Sequence, residues 1–458
     1  MQKRSTLLAG IALVFLAGVF ACVISLLVIP GIQLLPLYRI EPEDILPAKE
    51  TLLLLHAPTP VDLERYKKTF PALDDVISDT PLDAIAIVQS DTETQSIGFI
   101  RKDEAWDGNS CEVGSYRIIR AETTFPCPAA AELDQFLSAG PRLSDDRAWR
   151  SLGSLPKGSW TFLKREAFPG AASLQQVIFG SMAFGTATHV LLFPENGTTV
   201  VRSWPTTPLA SLGNASALVT PLKHPEMVFS FGNLAERNAE LDHALTPDDR
   251  IILEGLLLQQ LEDFAGPNAS LEHGILPLIA QRSELHVGKT ASGALSLLLS
   301  GTAQQGWNLD ERLEELHRSF ALRHPSTELL RFAFDEGRFP FQTLRLAEDE
   351  VRESEQIRGW SIETSRDNTD NSMLITAQSD RQIVLSNDPE ALRRFLMEEG
   401  TEIPLPAGKK TLIGKTVAGM LFPNAWLGTL GMPETGKSII SIEQTGELRT
   451  VRISQIEN

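Results

Sequence analysis

Apolar positions follow three rhythms along this chain, and each predicts a different kind of element. Residues 6–29 run for 24 positions without a charge, after Lys3 and Arg4, and the next charge is Arg39. As a helix rising ~1.5 Å per residue, such a run covers roughly 36 Å, enough to cross a ~30 Å hydrocarbon core. Beyond it, short β-rich runs alternate with helical stripes. Residues 51–55 read as a strand and 61–70 as a helix, and 227–231 and 234–245 repeat that order. Thr246-Pro247-Asp248-Asp249 opens a further helix, with Leu253, Leu257, Leu261 and Phe264 as its apolar stripe and Gly266-Pro267 as its stop. Leu309, Leu313, Leu316 and Phe320 mark another. The expected fold class is α+β: a transmembrane helix, then domains with mainly antiparallel sheets.

The pattern also repeats at an offset of 250. Leu155-Pro156-Lys157-Gly158 reads against Leu405-Pro406-Ala407-Gly408, and the register continues to Val201-Arg202 against Val451-Arg452. Upstream, Leu143-Ser144-Asp145-Asp146 resembles Leu385-Ser386-Asn387-Asp388, with eight extra residues between the blocks of the later copy. Asp146 and Asp388 are each placed to cap a helix, and Pro389 sits at a first helical position. Each copy closes with a hairpin, turning at Asn196-Gly197 and near Gly446. The reading is of two homologous α+β domains, 46–208 and 222–458, the second carrying a helical insert near 247–320. An anchor followed by such duplicated blocks resembles a group of bacterial single-pass, membrane-anchored envelope proteins that carry a duplicated domain of unknown function. The similarity covers most of 46–458 and implies no catalytic residues.

Orientation follows from charge. Lys3 and Arg4 precede the apolar run, whereas Glu41, Glu43 and Asp44 follow it. The positive-inside rule then predicts residues 1–5 as a cytoplasmic tail, 6–29 as a single span in the lipid bilayer, 30–45 as a linker and the rest as extracytoplasmic. A lipoprotein signal competes with this, because Val19-Phe20-Ala21-Cys22 loosely resembles a lipobox. Phe20 fits it poorly and 23–29 stay apolar, so the anchor is preferred and processing at Cys22 is left open. A net charge of −18 repels phosphate backbones, which argues against nucleic acid as a partner. Cys111 and Cys127 are the only cysteines past the apolar run. An oxidising compartment lets them pair as a candidate disulfide, closing a loop of ~17 residues and stabilising by ~3 kcal/mol.

Candidate chemistry is thin. Gly431-Met432-Pro433-Glu434-Thr435-Gly436-Lys437-Ser438 satisfies the phosphate-loop pattern, but β-branched Ile439 and Ile440 follow where a helix must open. Ser154 and Lys157 have the spacing of a serine–lysine pair, with Pro156 breaking the helical turn this needs. The eight histidines form no metal-binding motif. Asp74-Asp75 and Asp145-Asp146 read as helix-start or surface residues. No cofactor, metal or catalytic residue is assigned. The sequence thus points to a non-enzymatic module binding an envelope protein, a lipid or a wall component. The alternative is an extracytoplasmic hydrolase with a site built from scattered residues.

Overall fold

The computed structural model describes residues 41–458 except 68–69, 74–81, 90–93, 102, 105–110, 114, 121–139, 166–173, 213–214, 291, 324–325, 335–336, 346–350, 368–370, 407–414, 425–426, 428–435 and 457–458. The predicted span at 6–29, Cys127 and Asp74-Asp75 lie outside the described residues, and Cys111 opens a short strand. Among the described residues no helix is long and apolar enough to cross a membrane.

The first half contributes β1 (Thr51–His56), β2 (Ala84–Gln89), β3 (Thr94–Arg101), β4 (Cys111–Val113), β5 (Tyr116–Arg120), β6 (Trp160–Lys164), β7 (His189–Glu195) and β8 (Thr198–Trp204). Its helices are α1 (Pro42–Ile45), α2 (Pro60–Lys67), α3 (Arg147–Ser151) and α4 (Leu174–Phe184). The second half adds β9 (Ala217–Thr220), β10 (Pro225–Asn233), β11 (Gln281–Lys289), β12 (Leu295–Thr302), β13 (Ser326–Phe334), β14 (Gly337–Arg345), β15 (Val351–Ile357) and β16 (Trp360–Arg366). It closes with β17 (Met373–Ser379), β18 (Gln382–Ser386), β19 (Thr401–Pro404), β20 (Lys415–Pro423), β21 (Lys437–Thr445) and β22 (Leu448–Ile456). Between these run α5 (Leu234–Ala244), α6 (Pro247–Ala265), α7 (Leu309–Ala321) and α8 (Pro389–Leu396). The protein is a mixed α+β fold with mostly antiparallel sheet, as the alternating pattern predicts.

Among the described residues, eighteen strands form one sheet. From the pairings, the first half runs outward from β8 through β7, β6, β1, β2, β3 and β5. The second half runs outward from β22 through β21, β20, β10, β11, β12 and β18 in the same way. The two halves meet where β8 pairs with β22. There Val201 faces Val451, Val200 faces Arg452 and Arg202 faces Thr450. Each of these residues has its counterpart 250 positions away on the other side of the seam. A pseudo-two-fold axis therefore passes between Val201 and Val451, the self-complementary geometry of an isologous contact. The separate sheet β9–β19 lies over the second half, and the hairpin β13–β14 stands apart.

Because strand side chains alternate, the sheet has two buried faces. One face carries a core shared by both halves: Leu53, Leu55, Ile85 and Val201 join Phe229, Phe231, Ile440 and Val451, under Phe179 and Phe184 of α4. The other face is covered in the first half by Trp149 and Leu152. In the second half Leu392 and Leu396 of α8 cover it. The region near 247–320, read from sequence as a helical insert, holds α6 and α7 and also the core strands β11 and β12. Ser283, Glu284 and His286 interrupt the apolar alternation that would have revealed β11. On α6, Leu261 is buried, but the first turns expose Ile251, Ile252, Leu256 and Leu258.

Under the seam lies a buried charge cluster. Arg449 of β22 donates to Glu240 Oε1 at 2.7 Å and to the Met182 carbonyl at 3.1 Å. Arg237 of α5 donates to Glu240 Oε2 at 2.9 Å and to the same carbonyl at 3.3 Å. Met182 is in the last turn of α4, so the arginines satisfy a carbonyl that the helix leaves unpaired and complement its dipole. Burial and the neighbouring Arg449 push the Arg237 guanidinium down to about 9, still charged at neutral pH. Gly185 is required here: a Cβ would sit 2.6 Å from Arg449 Nη1, and its φ is +53°.

Farther out, His317 of α7 sits between Ser365 Oγ and Thr376 Oγ1, each at 2.8 Å. Arg352 faces it with Glu314 and Glu363, and burial holds the imidazole down to about 4.

Two tests follow. Glu240→Gln leaves two buried guanidiniums without a counter-charge and should cost about 3–5 kcal/mol in denaturant unfolding. For His317 the unfolded chain binds a proton below the ordinary 6.5, whereas the folded protein binds it only near 4. Its contribution is complete above pH 6.5 and is lost as pH falls towards 4, by about 3 kcal/mol in all. Unfolding midpoints between pH 4.5 and 7 should drop more steeply for the parent than for His317→Gln.

Candidate functional site

Walking outward from the seam through the strand registers pairs each position of one half with its counterpart in the other. Leu192 and Ile442 lead to Thr161 and Ala418, then to Leu55 and Phe231, then to Ile85 and Ser283. One residue along, Leu54, Ala86 and Ile97 of the first half match Ser230, Glu284 and Ser300 of the second. Counting six residues from the capping carboxylates Asp146 and Asp388 likewise matches Leu152 with Arg394. In the first half these positions form a sealed apolar core, with Leu54 and Ala86 fully buried. In the second half the same places hold two serines, a carboxylate and a guanidinium.

Of these residues, Glu284 and Arg394 line a cleft of about 470 Å³, bounded also by Trp360, Phe395 and Glu402. A neighbouring cavity of about 200 Å³ shares Glu284, Trp360 and Phe395 with it and adds Ser300. One wall is α8, whose N-terminus is fixed by Asp388 accepting from the Glu390 and Ala391 amides. Ser296 of β12 donates to the other Asp388 oxygen at 2.6 Å, and Asn387 Oδ1 accepts from the Leu297 amide at 2.8 Å. The opposite wall is the β9–β19 pair. Gly400 brings the two walls together, since a Cβ there would lie 2.3 Å from Val219 Cγ1. Trp360 and Phe395 meet edge to face, centroids 6.3 Å apart, on one side of the cleft.

The electrostatics are unsatisfied by design of the sequence. Arg394 Nη1 is buried with no hydrogen-bond partner. Glu398 and Glu399 follow the C-terminus of α8, where the helix dipole opposes negative charge. On the floor, Ser230 Oγ donates weakly to Glu284 Oε1 at 3.5 Å, and His286 Nε2 lies 3.5 Å from Glu284 Oε2. Neither His286 ring nitrogen has a hydrogen-bond partner. This trio is not a nucleophilic relay: the base must lie between hydroxyl and carboxylate, and here the carboxylate lies in the middle.

The residues weighed from sequence are elsewhere. Lys437 and Ser438 of the phosphate-loop pattern begin strand β21, with Lys437 Nζ donating to the Pro225 carbonyl at 2.9 Å and Ser438 Oγ to Asn424 Oδ1 at 2.6 Å. Ser154 and Lys157 lie in a turn, and the Ser154 carbonyl accepts from Arg202 at 2.8 Å. Asp145 pairs with Arg150 at 2.8 Å while Asp146 caps α3. Among the described residues no group of three His, Cys, Asp or Glu is arranged to hold a metal ion. Sequence reasoning missed Glu284, Arg394 and Trp360. The signal that could have found Arg394 was present in the aligned caps, where a buried Leu152 stands against an arginine.

No family model matches the chain, and neither the curated proteins nor the solved structures compared with it yield a match.

A buried guanidinium nitrogen without a partner is a net cost to the fold. Arg394→Leu, which restores the side chain of the first half, should therefore stabilise the protein by about 1–2 kcal/mol, read as a raised denaturant midpoint at unchanged slope.

Proposed function

We propose that this protein is a membrane-anchored extracytoplasmic binding or scaffold module of the cell envelope, and that its ligand-binding surface is the cleft of the second half. The apolar run at 6–29 supports the anchor and orientation. One observation carries the binding reading: at matched positions, one half fills its sheet face with Ala86 and Leu152, whereas the other opens it around Glu284 and Arg394. Charge placed against stability in an open concave site is the usual mark of function rather than packing. The first half acts as a scaffold. The hydrolase reading would draw on Ser230, Glu284 and His286, whose order does not suit acyl transfer.

The test is crosslinking in intact cells with the full-length chain and its Glu284→Gln, Arg394→Leu double variant. Capture of the crosslinked species should fall at least fivefold in the variant, with equal amounts of chain in the membrane fraction. Equal capture by both would exclude the cleft, and recovery of the full-length chain in the cytosol without detergent would exclude the anchor.

A further inference from the structure

We infer that the cleft takes a small zwitterion with an apolar body, a free amino acid or a dipeptide. This rests on the binding reading above and names its ligand. The cleft holds charges of both signs that do not neutralise one another. Arg394 lines the cleft without an ion-pair partner among the described residues, while Glu284, Glu398, Glu399 and Glu402 line the same space. No ion pair joins Arg394 to these carboxylates among the described residues, although such a pair would form at once if charge balance were all that mattered.

Each simpler ligand class meets a like charge. A plain anion would be drawn to Arg394 but repelled by four carboxylates. A plain cation would be held by the carboxylates and would leave the Arg394 charge unpaired. A molecule with a carboxylate at one end and an ammonium at the other answers both. Arg394 would take the carboxylate through its planar donor fork, and Glu284 would take the ammonium. Between these poles Trp360 and Phe395 present perpendicular aromatic faces, suited to an apolar side chain. The volume of about 470 Å³, with about 200 Å³ adjoining, fits a small molecule and not a folded domain. Behind Glu284, His286 is 1% exposed with its Nε2 3.5 Å from the carboxylate, backing the pole that faces the ligand.

Titration calorimetry on the detergent-solubilised full-length chain tests this with four probes. L-phenylalanine and glycyl-L-phenylalanine carry both charges, phenethylamine only the ammonium, and 3-phenylpropionate only the carboxylate. At least one zwitterion should bind tenfold or more tightly than either single-charge analogue, and the tighter of the two identifies free amino acid or dipeptide as the source. Arg394→Leu should erase the preference over phenethylamine, and Glu284→Gln the preference over 3-phenylpropionate. Arg394→Gln serves as the second variant, with thermal unfolding reporting that each is folded. A single-charge analogue binding as tightly as the zwitterions would overturn the inference, as would no zwitterion binding to the folded parent. If no zwitterion binds but the cleft variants still lose capture in cells, the ligand class fails and the binding reading stands. If capture also persists, both fail.

Discussion

The backbone pairing of β8 with β22 is the contact on which the rest of the molecule depends. Each half alone would end in a strand with a free row of amides and carbonyls, an invitation to aggregate. Pairing removes both edges at once and makes the shared core continuous, with Val201 and Val451 side by side on one face. The Arg237–Glu240–Arg449 cluster reinforces the same seam from below, because its members come from α5 and β22 and reach back to the end of α4. A buried cluster of this kind adds little net energy over an apolar core, but it tolerates only one arrangement of its parts. It fixes how the halves sit more than how strongly they hold.

With the halves locked in place, their sheet faces have taken different courses. One is packed solid with aliphatic and aromatic side chains. The other exchanges four aliphatic positions for polar ones and opens a cleft, on a frame otherwise held by the same strand order. On the binding reading proposed above, that division separates the requirement to fold from the requirement to bind. The apolar half and the seam supply cohesion, and the second half can then carry an unpartnered guanidinium and carboxylates at an unfavourable helix end. A site with strained electrostatics on a rigid sheet is better positioned than one on a loop.

Much of the fold was legible in the sequence because it is written in local signals. The caps at Asp146, Thr246 and Asp388, the turn at Asn196-Gly197 and the stop at Gly266 all fall where the structure places them. The α+β class follows from those signals alone. The cleft was not legible, for a physical reason: its residues are 110 positions apart in the chain at Glu284 and Arg394, and only the sheet registers bring them together. The strand β11 was hidden for the same cause. A strand with Glu284 and His286 on one face and Ser283 on the other lacks the apolar alternation that identifies strands, so the polar residues of the site erased the strand's own signature.

The seam also sets an order of events. Residues of β8 find their partners about 250 positions later, in β22, so the central ladder of the sheet cannot zip until β22 has been made. Until then a chain emerging from its amino end carries an unpaired β8 edge and an open apolar face. Contacts this distant in sequence form late and leave long-lived sticky intermediates. Loss of β22 would therefore leave β8 an open edge and strip the ladder on which both halves close.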